Sequence, residues 1–366
     1  MKSLAVLALA AGLNLLGQSP TPPPAQPSVS IEEYDPRSTL VVPQHDVPRA
    51  KFPFIDIHTH HQNFDKAALE KLEVEMDKLN MRAMVNCIAM GGAGNWVKNA
   101  VAAANVFDKG RFAVMTNIAD FKVDQPGYSE RVAKQLEEDI RNGAVGLKVW
   151  KNFGMTEKDS QGKRISVDDP RLDAVWDVCA KYKIPVLIHT ADPKPLFEPM
   201  DKYNERWLEL KLRPNRMNQT LNWDEIIEEQ HRLFERHPNT VFIAAHAGWL
   251  MSDTPKLGAL LDRCPNVYIE IGAIDSEIGR QPRTARAFFT KYQDRVLFGK
   301  DRWEPSEYPA YFRLLETEDE YFPPIRKYHG LWYLYGLGLP DDVLKKIYYK
   351  NALRLYPSLS KAGYPD

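Results

Sequence analysis

Hydrophobic and polar positions along the chain follow two alternating periods. Short, nearly continuous apolar runs occupy residues 54–61, 82–88, 112–118, 144–150, 185–189, 240–246, 266–271 and 295–299. Such runs read as strands buried on both faces. Between them lie stretches of helical spacing. Asp65 to Leu79 places Leu69, Leu72, Met76 and Leu79 on one face. Further helices are predicted over 95–108, 129–141, 223–236, 255–263, 284–292 and 340–355. Another opens at Asp168-Asp-Pro-Arg, a capping carboxylate before an early proline, and ends before Ile184. Eight strands, each followed by a helical pattern, predict an α/β fold of the (β/α)8 TIM-barrel type. Two long loop insertions, 193–222 and 302–339, follow strands five and eight. An open doubly wound sheet would instead want a glycine-rich phosphate loop after the first strand. That position holds His58-Thr-His-His61.

Composition narrows the function classes. The 366 residues are 44% hydrophobic and 27% charged, with net charge -1. That balance leaves no footprint for nucleic acid or an anionic membrane. Cys87, Cys179 and Cys264 are far apart in apolar contexts, without a CxxC, and read as buried thiols. Residues 1–19 pair one early lysine with a short apolar run and resemble a secretory signal peptide. Residues 20–46 include the Pro-rich Pro20-Thr-Pro-Pro-Pro-Ala-Gln-Pro27 stretch and read as a linker, 47–357 as the barrel and 358–366 as a tail. The expectation is an exported protein, periplasmic or extracellular, with no membrane attachment after signal cleavage. Its partner is a small molecule, and a homodimer is left open.

The chemistry begins with His58 and His60. Strand side chains alternate faces, so these two imidazoles point the same way. Alone, an HxH also fits a solvated turn. But His189 ends strand five, His246 ends strand six, and Asp301 directly follows strand eight. In such barrels the chemistry sits at the C-terminal ends of the strands. Imidazoles plus one carboxylate suit a borderline divalent metal, most simply Zn²⁺, able to lower the pKa of a water toward ~7. Asp301 could ligate and also accept the proton of the attacking water. His246 could stay off the metal, polarising a carbonyl or moving a proton.

With these motifs the chain resembles the amidohydrolase superfamily, in its amidohydrolase-related (amidohydrolase 2) branch, similar to aminocarboxymuconate-semialdehyde decarboxylase and related hydrolases. The resemblance runs from about Lys51 to Leu355. It implies one metal on His58, His60, His189 and Asp301, with His246 catalytic. Lys148 on strand four stands where parts of the superfamily carry a carboxylated lysine bridging two metals; it could equally anchor substrate. Glu270 is a second inward candidate, as a partner of Lys148 or a support. Lys300 departs from the small residue usual before the final Asp, and should face away from Asp301 or alter the rim charge. Trp150, Trp249 and Trp303 are expected to wall the pocket, and Arg280 and Arg302 to bind a carboxylate. His61 reads as structural, and His231 and His237 as solvated. His45 falls in the linker, and His329 within reach of the pocket. The expected function is a metal-dependent hydrolase using a metal-activated water on an amide, cyclic amide or lactone. The alternatives are a non-oxidative decarboxylase of an aromatic or enoic acid, and a non-catalytic binding barrel.

Overall fold

The computed structural model describes residues 28–88, 92–108 and 110–365. The segment expected to be a signal peptide, residues 1–19, and the Pro-rich start of the expected linker lie outside the described residues. The chain divides into Met1–Leu40 and Val41–Asp366. In the first unit, the described residues form one turn, with Glu33 N and Tyr34 N donating to Ser30 O. Among the described residues no helix is long and apolar enough to cross a membrane.

Among the described residues, the second unit holds eight parallel strands. These are β1 Phe54–Thr59, β2 Met81–Asn86, β3 in two pieces (Phe112–Val114 and Thr116–Asn117), β4 Leu147–Val149, β5 Val186–Ile188, β6 Phe242–Ala244, β7 Val267–Glu270 and β8 Val296–Leu297. Each pairs in parallel with the next. Met115 bridges the two pieces of β3: its N–H donates to Asn86 O, and Thr116 N then donates to Gly146 O, each at 2.9 Å. The ring closes where Ile57 N donates to Phe298 O (3.1 Å) and Asp301 N to His58 O (2.8 Å). The ladders are shorter than the apolar runs, because the outer residues of each run pass into the rim loops.

Side-chain caps that the sequence supplies open several of the helices. Asp65 accepts from Ala68 N before α1 (Lys66–Leu79), whose buried face is Leu69, Leu72, Met76 and Leu79. Asn222 accepts from Asp224 N and Glu225 N at the start of Trp223–Arg236. The last predicted helix is broken: a π-turn, Lys346–Lys350, separates Asp341–Lys345 from Asn351–Leu355. Ile347 O in that turn accepts from Phe298 N at 3.0 Å, tying the helix to the end of β8.

The insertions are not loops throughout. The first contains the helix Trp207–Leu212, and the second opens with the helix Tyr308–Glu316. That second helix packs on the closing strands through Phe312, whose ring centroid is 5.3 Å from Phe54. Phe54 and Phe298 meet edge to face at 4.8 Å. Phe312 is fully buried there. Phe312→Ala should therefore lower the unfolding free energy by about 3–5 kcal/mol, read by denaturant titration.

Candidate metal centre

Along β1 and just past its end, alternation sends Asp56, His58 and His60 to one side. Asp56 is fully buried and acts as a staple. It accepts from His58 N (2.9 Å), Lys300 N (3.2 Å) and Tyr308 Oη (2.6 Å). Burial pushes its carboxyl up to about 7, against those hydrogen bonds. Asp56 escaped sequence reasoning, although its shared parity with His58 is a signal that marks it.

Hydrogen bonds set the tautomers of the rim histidines. His58 Nδ1 lies 3.2 Å from Glu270 Oε1, and His60 Nδ1 2.8 Å from Ile88 O. His246 Nδ1 lies 2.7 Å from Gly272 O. These oxygens accept, so each Nδ1 carries the proton and each Nε2 of the neutral ring is a lone pair. Burial, reinforced by the Lys148 charge, holds His58 well below the ordinary imidazole range. Burial likewise lowers His189 and His246.

The two lone pairs converge. His58 Nε2 and His60 Nε2 are 3.1 Å apart, and Asp301 Oδ1 lies 3.5 Å from the first and 3.3 Å from the second. Three acceptors meeting at one point call for a cation. One is already near: Lys148 Nζ lies 2.9 Å from His58 Nε2 and has no carboxylate partner among the described residues. The donor set also fits a divalent ion of the kind imidazole and carboxylate prefer. His58, His60 and Asp301 form one compact group of candidate ligands, and His58, His246 and Glu270 a second. His189 belongs to neither. Its ring packs 4.5 Å from that of His246 and 5.8 Å from that of Trp249, and its Nε2 is buried without a partner. His246 Nε2 is likewise unpartnered.

Glu270 is a support rather than a partner of Lys148. Its Oε1 accepts from His246 N at 2.5 Å and its Oε2 from Gly272 N at 2.6 Å. Room for that carboxylate comes from two glycines: a Cβ on Gly272 or Gly299 would lie 2.8 Å from Glu270 Oε2. Lys300 faces away from Asp301, into an ion pair with Glu307 at 2.6 Å and a bond to Arg302 O.

A cavity of about 250 Å³ opens over the centre, lined by His189, His246, Trp249, Asp301 and Arg302. His329 joins it, buried, from the second insertion. Trp249 stacks on His246 at 4.5 Å, and Trp150 packs 4.8 Å from His60. Trp303 does not wall the cavity. The backbone turns at Asp301 with φ of 79°, and Trp303 packs 5.3 Å from His61. Arg280 is also elsewhere: it pairs with Glu205 and Ser252, each at 2.8 Å, and covers Trp332 beside a separate cavity. His231 and His237 are buried rather than solvated, because their helix lays that face on the barrel. His45, read as linker, donates from its backbone N to Asp319. The three cysteines are free and buried. The basic residues that line the cavity from the first insertion, Arg206, Arg213 and Arg216, carry no motif and escaped sequence reasoning.

The chain belongs to the amidohydrolase family Amidohydro_2, whose sequence model matches residues 55–358. Among solved structures it is similar to 2,6-dihydroxybenzoate decarboxylase from Rhizobium, 15% identical, with TM-score 0.51 over 84% of this chain and 99% of that one. It is also similar to a dihydroxybenzoic acid decarboxylase from Polaromonas holding manganese and 2-nitroresorcinol, 15% identical, with TM-score 0.53 over 84% and 97%. An uncharacterized TIM-barrel protein from Bordetella bronchiseptica is 16% identical, with TM-score 0.51 over 83% and 98%. At these identities the likeness establishes the barrel. No curated protein sequence matches the chain.

Glu270→Gln puts an amide N–H against one of the three donors that Glu270 serves. It should weaken divalent-metal affinity about 10–100-fold while the circular dichroism spectrum stays unchanged, as read by metal content after dialysis against a chelator.

Proposed function

We propose that this enzyme is a metal-dependent hydrolase acting at a C–N or C–O carbonyl centre, in an amide, cyclic amide or lactone, of a small carboxylated molecule. The observation that carries the reading is the convergence of His58 Nε2, His60 Nε2 and Asp301 Oδ1 on one point beside a cavity rich in arginine. His58, His60 and Asp301 would hold the ion, with His189 completing the set after a small movement. Zn²⁺ suits these donors best. A second ion on a carboxylated Lys148 would require that side chain to leave His58 Nε2. The ion supplies Lewis acidity and brings a water into the range where it ionises near neutral pH.

The remaining steps belong to the chain. Asp301, at the end of β8 beside the two imidazoles, accepts the proton of the attacking water. His246 presents a lone pair at Nε2, because Gly272 O holds the proton on Nδ1. It therefore takes up a proton from solvent before giving it to the leaving group, and Asp301 returns its proton to solvent as product leaves. Trp249, stacked on His246, keeps water from that side of the ring. The cavity cations would also hold a carboxylate that leaves as CO₂, which supports decarboxylation as the second reading. We also propose export, on the N-terminal apolar run; N-terminal sequencing of protein from the extracytoplasmic fraction should begin near residue 20.

Purified from metal-replete medium, the protein should carry about one divalent ion per chain by elemental mass spectrometry. His60→Ala should lose the ion. His246→Ala should keep it and lose turnover by about 10²–10⁴-fold. A screen across lactones, cyclic amides and carboxylated aromatics, with CO₂ release followed in parallel, separates hydrolase from decarboxylase. Protein that takes up no metal overturns both.

A further inference from the structure

A second cavity, of about 480 Å³, adjoins the one over the metal centre. Pro193, Arg206 and Trp249 line both. The metal cavity, at about 250 Å³, is smaller than the roughly 300–1,000 Å³ that ligand sites usually occupy, whereas the second chamber falls within that range. Its inner wall is apolar: Trp223, Leu250, Met251 and Ile274 line it and are buried. Trp249 is the partition. Its ring stacks on His246, and its Nε1 donates to Ala191 O at 3.3 Å.

The charges around this chamber do not balance. Five carboxylates line it against four cations. Arg280 pairs with Glu205 (2.8 Å) and Lys194 with Asp224 (3.1 Å). The other two cations are shared with acids outside the chamber. Lys256 meets Glu228 at 3.2 Å, and Arg206 meets Glu209 at 2.9 Å as well as Glu277 at 2.6 Å. Glu198 lines the chamber at an exposed position, with no cation at ion-pair distance among the described residues. Glu277 carries the decisive atom. Its side chain is only 13% exposed, its Oε1 accepts from Arg206, and its Oε2 is buried with no hydrogen-bond partner. A carboxylate oxygen taken out of water without a donor is costly. Beside an apolar wall and surplus negative charge, it describes a seat for a cationic N–H donor. The wall already accommodates such a group: Lys194 Nζ lies 5.0 Å over the ring of Trp223.

We propose that this chamber binds an organic ammonium group, carried on an apolar arm of the substrate, with Glu277 as its seat. The arm runs from the carbonyl at the metal centre past Trp249. That assignment to the substrate rests on the metal cavity being the reaction site; the binding of the ammonium group does not.

The test is calorimetric titration of metal-free and zinc-loaded protein with hexylamine and benzylamine, against hexanol and benzyl alcohol. Each amine should bind at least about tenfold more tightly than its alcohol, and more weakly as salt rises. Glu277→Gln keeps an oxygen for Arg206, which Glu209 also holds, and should weaken amine binding about tenfold. Glu198→Lys, at an exposed position with no ion pair to lose, should weaken it about threefold. Amines that bind no better than the alcohols overturn the proposal. So does binding that survives Glu277→Gln, or, should that variant not fold, binding that survives Glu198→Lys. Amine binding abolished by zinc loading lies at the metal centre and overturns it as well. In the hydrolysis that the substrate screen finds, hexylamine should raise KM and leave kcat unchanged. Hexylamine that binds without changing KM overturns the assignment of the arm to the substrate. Amine binding without hydrolysis of any compound refutes the hydrolase and retains the chamber.

Discussion

The centre depends on one buried carboxylate. Glu270 sits at the end of β7 with no exposure to water. A carboxylate so placed is costly unless each oxygen meets donors. Its Oε1 faces His58 Nδ1 and His246 N, and its Oε2 faces Gly272 N. Those donors come from the ends of β1, β6 and β7, so one side chain ties three strand ends together. Satisfying Glu270 also decides the chemistry of its neighbours. The proton it holds on His58 Nδ1 leaves Nε2 as a lone pair aimed at Asp301 and Lys148. Gly272 and Gly299 leave the space in which the carboxylate lies.

The backbone around this anchor is held in a conformation that L-residues rarely adopt. Ala191, His246, Ala247, Trp249, Ala273 and Asp301 all have positive φ, and all lie just beyond strand ends. Each such residue costs about 1–3 kcal/mol, and persists only where packing over-determines it. Here the barrel supplies that packing. The turns bring His246 and Asp301 over the strand ends and set Trp249 against His246. The strain therefore lies where the reacting groups are gathered, as it does at many active sites.

Charge in the insertions complements charge in the barrel. The barrel contributes Asp301 and the neutral imidazoles. The insertions contribute Arg206, Arg213, Arg216 and Arg326, largely paired with acids from the same segments. A cation-binding floor beneath a cation-rich roof suits a substrate that carries negative charge at one end and a polarisable carbonyl at the other.

Much of this was legible in one dimension. Periodicity marks all eight strands, because a strand buried on both faces must be apolar throughout. Parity placed His58 and His60 on one face, and chain position put His189, His246 and Asp301 at matching strand ends. These are local consequences of backbone geometry, and they need no knowledge of distance. What tertiary structure alone decided is which of these groups meet. It set His58, His60 and Asp301 together and left His189 one ring away. It sent Trp303 and Arg280 elsewhere, because a turn at Asp301 and a salt bridge to Glu205 redirect them. It made Lys148 a neighbour of His58 rather than of Glu270. It also assembled the arginines of two insertions into one cavity. Insertions have no repeating period, and ion pairs across dozens of residues leave no local trace in the sequence. Their meeting is fixed only when the barrel closes beneath them.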